Sequence, residues 1–191
     1  MAHPTITLEE HFLSDALESR DLPQYKHFPS SISTRLKDLS PSGTRLQEMD
    51  KGNITLQIIS HTPGAASAPP HLVTAANDEL HAACQASPGR LAGFAALPMG
   101  DPEAAARELE RCVKDLGFKG ALIDNHLEEG EGKGEKLFYD SERFWPVFAK
   151  AQELDVPVYI HPTFATEEMV ELLYRGNYGE GTAFGLSMAG W

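Results

Sequence analysis

Five short runs of β-branched and apolar residues, separated by stretches with helical periodicity, constrain the fold of this 191-residue chain more than any other feature. The predicted strands are residues 5–9, 54–60, 91–97, 118–124 and 156–161. Strands that alternate with helices form parallel sheets, because a parallel neighbour needs a long crossover connection and a helix provides it. The sequence therefore predicts an α/β domain with five βα units around a parallel sheet.

Three segments have the apolar spacing of amphipathic helices. The best-defined one follows the third strand, where Asp101 suits an N-cap, Pro102 suits the first helical position and Gly117 suits the end of a helix. Two further helices are predicted at residues 73–86 and 141–154. These helices alternate with the strands in the order that a parallel sheet requires.

Two polar stretches interrupt this pattern. Residues 13–42, rich in Ser, Pro and charged residues, are predicted to form a loop insertion, and residues 128–136 a Gly-rich loop after the fourth strand. Both follow the C-terminal end of a strand, which is where barrel enzymes place their active sites. The segments together predict a single domain over residues 1–191.

The charge and the cysteine content exclude some classes of function. A formal net charge of -12 without a cluster of Lys and Arg argues against a nucleic-acid partner, because phosphate binding requires clustered cations. Cys84 and Cys112 are too few for a disulfide framework. The chain shows neither a secretory signal pattern nor a run of about 20 apolar residues. We therefore expect a cytoplasmic protein with no membrane partner.

Glu9 and His11 lie two residues apart at the end of the first predicted strand. Because successive side chains alternate between the two faces of a strand, both point to the same face. His161 ends the fifth strand and occupies the corresponding face there. The opposite, apolar faces of these strands are predicted to pack on helices through Ile6 and Leu8 of the first strand and Val156, Val158 and Ile160 of the fifth.

A carboxylate and two imidazoles at one end of a parallel sheet predict a metal site. Carboxylate oxygen and imidazole nitrogen suit Zn2+, the ion that we expect, and also Mn2+ or Fe2+. The alternative is that Glu9 and His11 form a chance E-x-H pair and that His161 is a hydrogen-bonded structural residue. The sequence leaves both interpretations open.

Three more polar residues follow predicted strands and are candidates for substrate binding. His61 follows the second strand, and Asn125 and His126 follow the fourth. Each of them could hold a substrate oxygen. Each could equally be a loop residue that is hydrogen-bonded to nearby backbone.

Six segments carry a resemblance to a known family. They are ITLEEHF at 6–12, LQEMDKGNITLQIISHTPG at 46–64, GRLAGFAALPMGDPEAAARELER at 89–111, GFKGALIDNH at 117–126, LFYDSERFWPVFAKAQELDVPVYIHP at 137–162 and GLSMAGW at 185–191. Together they resemble the amidohydrolase-related proteins, which include 2,3-dihydroxybenzoate, γ-resorcylate and 6-methylsalicylate decarboxylases and aminocarboxymuconate semialdehyde decarboxylase. The resemblance extends over nearly the whole chain.

This resemblance implies a fold, a cofactor and a reaction. The fold would be a (β/α)8 TIM barrel with one divalent metal at the C-terminal face, bound by Glu9 and His11 of the first strand and His161 of the fifth. The reaction would be the metal-dependent, non-oxidative decarboxylation of a small ortho-hydroxy aromatic carboxylic acid. The metal would hold the carboxylate and the phenolic oxygen while the ring carbon is protonated.

The resemblance also implies residues that have no counterpart here. A (β/α)8 barrel has eight strands in about 250 residues, whereas this sequence provides five and corresponds to the N-terminal portion of such a barrel, as if truncated after the fifth strand. The family's strand-six histidine and strand-eight aspartate are missing, so the catalytic acid–base residues are unknown. Five strands also leave two open edges, which would make the chain unstable, pair it with another copy into a homo-oligomer, or indicate an incomplete gene model.

Three hypotheses for the function therefore stand side by side. The first is a carboxy-lyase for a hydroxybenzoate-like acid. The second keeps the barrel and the metal but makes the protein a hydrolase of a lactone or an amide. The third is a catalytically inactive truncated paralogue that serves as an interaction module.

Overall fold

The computed structural model describes residues 3–18, 30–128, 136–163, 165, 167–179, 182 and 186. Within these residues the strands are β1 Thr5–Phe12, β2 Ile54–His61, β3 Leu91–Gly93, β4 Ala121–Asp124, β5 Leu127–Glu128, β6 Lys136–Leu137 and β7 Val158–His161. The α-helices are α1 Asp15–Glu18, α2 Ser30–Lys37, α3 Thr44–Lys51, α4 Pro70–Ala86, α5 Pro102–Lys114, α6 Trp145–Leu154 and α7 Glu167–Met169. A 3-10 turn at Glu142–Phe144 precedes α6, and a π-helical turn at Val170–Tyr174 follows α7.

Five of the strands form a parallel arc, as the sequence predicts. β1, β2 and β3 are hydrogen-bonded in that order, and β4 pairs with β7. A single parallel bridge between Ala95 and Ala121 joins the two groups. The order β1-β2-β3-β4-β7 is that of consecutive βα units in a barrel, because each strand lies beside the next strand of the parallel series. β5 and β6 form a separate antiparallel pair.

The third and fourth strands are shorter than predicted for identifiable reasons. After Gly93 the backbone changes partner: Phe94 N–H donates to Ile59 O in β2, whereas Ala95 N–H donates to Gly120 O beside β4. Phe94 and Ala95 are therefore still hydrogen-bonded to neighbouring segments, but they do not extend the hydrogen-bond ladder of β3. β4 begins only at Ala121, because Gly120 has a φ of 144° that interrupts an extended strand.

The helices confirm the capping analysis. The Asp101 side chain accepts a hydrogen bond from Ala104 N–H at 3.0 Å, Pro102 begins α5, and Gly117 has a φ of 73°. α4 begins at Pro70, earlier than predicted, because proline fits the first helical position without the loss of a hydrogen bond. Among the described residues, no helix combines the length and the apolar character that crossing a bilayer requires.

The two polar stretches contain some regular structure. Residues 13–42 include α1 and α2, which are joined by ion pairs from Lys37 to Asp15 and Glu18. Residues 19–29 lie outside the described part of the chain. The predicted loop at 128–136 begins and ends in the β5–β6 pair, and residues 129–135 between them also lie outside the described residues.

The core lies between the sheet and the helices. Phe12 and Ile59 from the strands, and Leu80, Leu109 and Phe144 from the helical segments, are each at most 1% exposed. Complete burial of side chains of this size stabilises a fold by about 1.5–3 kcal/mol each. One core cluster therefore joins the strands to the helices that pack on them.

The prediction that the apolar faces of the first and fifth strands pack on helices is wrong for three residues. Ile6 is 55% exposed, Leu8 52% and Ile160 44%. β1 and β7 are the outermost strands of the arc, so each has a neighbouring βα unit on one side only. The side chains of Ile6, Leu8 and Ile160 are consequently left in contact with water. Val156 and Val158 of the predicted fifth strand pack against the core, as predicted.

Replacing Gly120 with alanine is expected to lower the free energy of unfolding by about 3 kcal/mol. A Cβ at Gly120 would collide with the Pro157 carbonyl oxygen in the segment that leads into β7, and φ is unfavourable for any other residue. Gly89→Ala is the matched control, because Gly89 has a φ of 74° but open space around a Cβ. It should cost only about 1 kcal/mol. Equal losses in urea unfolding would contradict the steric explanation.

Candidate metal centre

Glu9, His11 and His161 come together at the C-terminal ends of the strands. Each offers one ligand atom, and these three atoms lie within 4.8 Å of one another. β1 and β7 stand on opposite sides of the arc, so the side chains meet across its interior. In β1 an extra residue relative to β2, between Thr7 and Glu10, lies next to the ligand pair. Such a bulge changes the direction of the side chains that follow it.

His161 presents one ring nitrogen to the other two residues. Its Nδ1 donates to the Pro162 carbonyl oxygen at 2.6 Å, because a carbonyl only accepts. Its Nε2 lies 3.4 Å from Glu9 Oε1, and its ring meets the His11 ring edge-on with centroids 4.8 Å apart. The side chain is buried. The backbone bond therefore fixes the tautomer that leaves the Nε2 lone pair available.

His11 is oriented by its partner in β2. Its Nδ1 lies 3.1 Å from Ser60 Oγ, and the Ser60 hydroxyl donates to the Glu10 carbonyl at 3.4 Å. Ser60 then accepts the His11 Nδ1 proton, which leaves Nε2 unprotonated. Burial lowers the pKa of His11 to about 4, and the neighbouring His161 acts in the same direction. His11 is consequently neutral near pH 7, as metal binding requires.

Glu9 is held by a tyrosine that the sequence analysis did not single out. The Tyr159 hydroxyl donates to Glu9 Oε2 at 2.6 Å. This hydrogen bond lowers the pKa of Glu9, against the opposing effect of burial, and the proximity of His161 and His11 adds smaller effects that also lower it. The same bond raises the pKa of Tyr159 to about 12. A carboxylate and a neutral phenol therefore coexist at physiological pH.

His61 ends β2 beside Phe12 and is bonded to backbone groups. Its Nε2 accepts from Ser14 N–H at 3.1 Å, and its Nδ1 donates to the Thr62 carbonyl at 2.8 Å. Only 2% of the residue is exposed, and burial lowers its pKa to about 4. Both ring nitrogens thus bond to backbone. The predicted contact of His61 with substrate stays a prediction.

His61 is expected to make the protein less stable in acid. Its folded pKa of about 4 lies below the ordinary 6.5, so the unfolded chain binds the proton more readily. The stability that neutral His61 contributes is complete above pH 6.5 and is lost as the pH falls through 4. At about pH 4.5 the loss is about 2 kcal/mol. The physical cause is that protonation buries a charge and removes the acceptor for Ser14 N–H.

Urea unfolding of the wild type and of His61→Gln across this pH range checks the prediction. Glutamine does not titrate. Between about pH 7.5 and 4.5, the unfolding free energy of His61→Gln should therefore fall about 2 kcal/mol less than that of the wild type. His11 and Asp124 titrate in both proteins and cancel in the difference. Parallel pH profiles would show that His61 is not the cause.

Asn125 connects the segments that follow β4 and β7, and His126 is hydrogen-bonded to Asn125. Asn125 Oδ1 accepts from Thr163 N–H at 3.1 Å and from His126 Nδ1 at 2.9 Å. His126 is 5% exposed, with its ring 6.2 Å from the ring of the exposed Phe138. Both residues lie near the C-terminal ends of the strands, as the sequence predicts. Their role in substrate binding stays a prediction.

Asp124 is a buried carboxylate that the sequence analysis did not identify as part of the site. It pairs in register with His161, and its two oxygens accept from Gly64 N–H at 3.1 and 3.0 Å. Burial raises its pKa to about 6 against the effect of these bonds. Its position as the last residue of a buried strand is the signal that could have revealed it. Asp124 thus fixes the loop after β2 against the end of β4.

A cavity of about 330 Å³ borders the ligand pair of β1. It is lined by Glu9, Glu10, His11, Arg35, Leu36, Asp38, Thr44, Arg45, Glu48 and Gln57. Arg45 Nη2 donates to the His11 carbonyl at 2.7 Å, which ties α3 to the strand that carries two of the candidate ligands. The volume is at the lower end of the range for small-molecule sites.

The chain has close relatives among known proteins. It is 40% identical over 196 residues to the decarboxylase orsB of Emericella nidulans, covering 100% of this chain and 56% of the relative. It is 41% identical over 165 residues to a gamma-resorcylate decarboxylase of Polaromonas sp., covering 82% of this chain and 49% of the relative. The chain therefore spans about half the length of the curated relatives that it matches.

Solved structures show the same fold. A dihydroxybenzoic acid decarboxylase from Polaromonas sp. JS666, with bound manganese and the inhibitor 2-nitroresorcinol, matches with a TM-score of 0.81 and 34% identity over 98% of this chain and 58% of that one. A 2,6-dihydroxybenzoate decarboxylase complexed with 2,6-dihydroxybenzoate has a TM-score of 0.79 and 34% identity, over 98% and 59% of the two chains. The partial TIM barrel is thus confirmed.

The sequence profile of one family gives the broadest assignment. The amidohydrolase profile matches residues 39–178, which is more than half of the chain. Together with relatives of about 40% identity, this match confirms the predicted resemblance. The chain belongs to the amidohydrolase family.

Proposed function

We propose that Glu9, His11 and His161 bind one divalent metal ion. A carboxylate oxygen and two unprotonated imidazole nitrogens are a ligand set for Zn2+ or Mn2+. The 3.4 Å between Glu9 Oε1 and His161 Nε2 matches the separation of about 3.4 Å expected for two ligands at tetrahedral angles around an ion about 2.1 Å away. Zn2+ is the ion that the sequence analysis favours. The manganese in a solved relative supports Mn2+ as the probe.

We propose further that this centre serves the decarboxylation of a small ortho-hydroxy aromatic acid. The observation that carries the proposal is the convergence of the three ligands in a chain similar to several decarboxylases of such acids. The bound ion would supply a Lewis acid for the carboxylate and the adjacent phenolic oxygen. The bond between the ring carbon and the carboxylate would break with its electron pair remaining on the ring carbon, CO2 would leave, and a proton delivered from solvent water would take its place. Glu9, His11 and His161 would hold the site in one geometry during this exchange.

A product assay tests the proposed reaction. The protein is incubated with Mn2+ and 2,6-dihydroxybenzoate, and CO2 and resorcinol are measured together. We expect equimolar CO2 and resorcinol, and a loss of at least about a hundredfold in rate for Glu9→Gln, which has a weaker metal ligand of the same shape. Absence of both products from the metal-loaded wild type would contradict the proposal.

Hydrolysis of a lactone or an amide is the second candidate. The match to the amidohydrolase profile favours it, because the same ligand set supports either reaction. The products separate the two candidates: hydrolysis gives a ring-opened acid or an amine without CO2.

A cytoplasmic location and self-association complete the proposal. Cys84 and Cys112 are both free thiols, which is typical of a reducing compartment.

The exposed Ile6, Leu8 and Ile160 on the outer strands support pairing with a second copy. Light scattering of the purified protein would detect the dimer. A monomer at all concentrations would reject self-association.

A further inference from the structure

Each of the three candidate ligands is oriented by a separate hydrogen bond, and the bond to Glu9 is the one that crosses the arc. His11 is held by Ser60 and His161 by Pro162, both through Nδ1. We propose that Tyr159 is a positioning residue of the metal centre, which holds Glu9 so that one carboxylate oxygen remains available for the ion. This inference rests on the proposed metal site.

The two oxygens of Glu9 have different partners. Oε2 accepts from the Tyr159 hydroxyl at 2.6 Å, whereas Oε1 faces His161 Nε2 at 3.4 Å. The Glu9 side chain is 56% exposed, so packing alone leaves its rotamer free. The hydroxyl therefore supplies the restraint that packing does not. Because the hydroxyl uses one lone pair of Oε2, Oε1 is the oxygen that Glu9 offers the ion most readily.

Tyr159 is itself held on a rigid element. It pairs in register with Leu122 in the ladder between β4 and β7. It lies two residues before His161 on the same face of β7, with ring centroids 6.0 Å apart at 83°. One side chain thus contacts two of the three candidate ligands. Tyr159 connects the exposed carboxylate of β1 to the strand that carries the buried histidine, which lowers the entropy lost when the ion binds.

The test is the Mn2+ affinity of Tyr159→Phe, measured by electron paramagnetic resonance of free and bound Mn2+. Phenylalanine keeps the ring and removes only the hydroxyl. We expect a loss of about 10–100-fold in affinity, the usual effect of removing a group that orients a metal ligand. The spectrum of bound Mn2+ at saturation should also change, because Glu9 can then offer both oxygens. The thermal stability of the metal-free protein should stay the same.

Tyr139→Phe is the matched control. The Tyr139 hydroxyl is buried and has no hydrogen-bond partner among the described residues, so its removal should leave both affinity and spectrum unchanged. An affinity of Tyr159→Phe within twofold of wild type would overturn the inference. A loss of metal-free stability in Tyr159→Phe that is as large, in free energy, as its loss of Mn2+ binding would also overturn the inference, because Tyr159 would then have a purely structural role.

The failure of the inference is distinguishable from failure of the proposed function. If the wild type binds Mn2+ and Glu9→Gln weakens that binding while Tyr159→Phe does not, only the positioning role is wrong. If the wild type does not bind Mn2+, or Glu9→Gln has no effect, the metal site itself is wrong and the inference falls with it.

Discussion

Replacing His161 with asparagine is expected to weaken Mn2+ binding by at least about a hundredfold, or about 3 kcal/mol. The asparagine amide can still donate to the Pro162 carbonyl in place of Nδ1, so the substitution removes the Nε2 ligand and keeps the backbone bond. The loss is large because three side chains share the ion, and the two that remain cannot close a stable site.

Thermal unfolding with and without Mn2+ gives an independent measurement of this effect. An ion at about 100 times its Kd should stabilise the wild type by about 2.7 kcal/mol, and this gain should vanish in His161→Asn. His71→Asn is the control, because His71 is an exposed histidine of α4. If His161→Asn retains the full Mn2+ stabilisation, His161 is not a ligand.

Replacing Asn77 with leucine is expected to lower the free energy of unfolding by about 3–5 kcal/mol. Asn77 is 1% exposed; its amide donates to Ala96 O at 3.0 Å and to Glu108 Oε1 at 2.8 Å, and its oxygen accepts from Ala96 N–H at 2.9 Å. Leucine removes all three bonds. The Ala96 backbone and the Glu108 carboxylate would then be buried with unmet hydrogen-bonding capacity.

Urea unfolding of Asn77→Leu checks this prediction, with Asp78→Asn as the neighbouring control. Asp78 forms an ion pair with Arg111 at 2.7 Å, but its side chain is 55% exposed. Exposed pairs contribute about 0–1 kcal/mol, so the control should remain near wild type. A loss below about 1 kcal/mol for Asn77→Leu would mean that water replaces the missing bonds.

The arc of strands and the convergence of the three candidate ligands were predictable because both follow from local patterns. Glu9 and His11 share a face through their spacing of two, and His161 ends a buried strand, so parallel pairing alone brings their ends to one edge of the sheet. The capped helix α5 was likewise encoded by adjacent residues, from Asp101 to Gly117.

The parts that were missed depend on residues far apart in the chain. The Tyr159–Glu9 hydrogen bond joins positions separated by 150 residues, and the contact of Asp124 with Gly64 joins positions separated by 60. No periodicity reports such pairs. The short helix α2 lies in a Ser-rich segment with low helix propensity, so its composition indicated a loop.

Crystals of the protein soaked in Mn2+ and measured for anomalous scattering test the metal centre most directly. We predict one strong peak at about 2.1–2.3 Å from a carboxylate oxygen of Glu9 and from Nε2 of both His11 and His161. A peak bound by other residues, or none between these three in crystals that do contain Mn2+, would contradict the account.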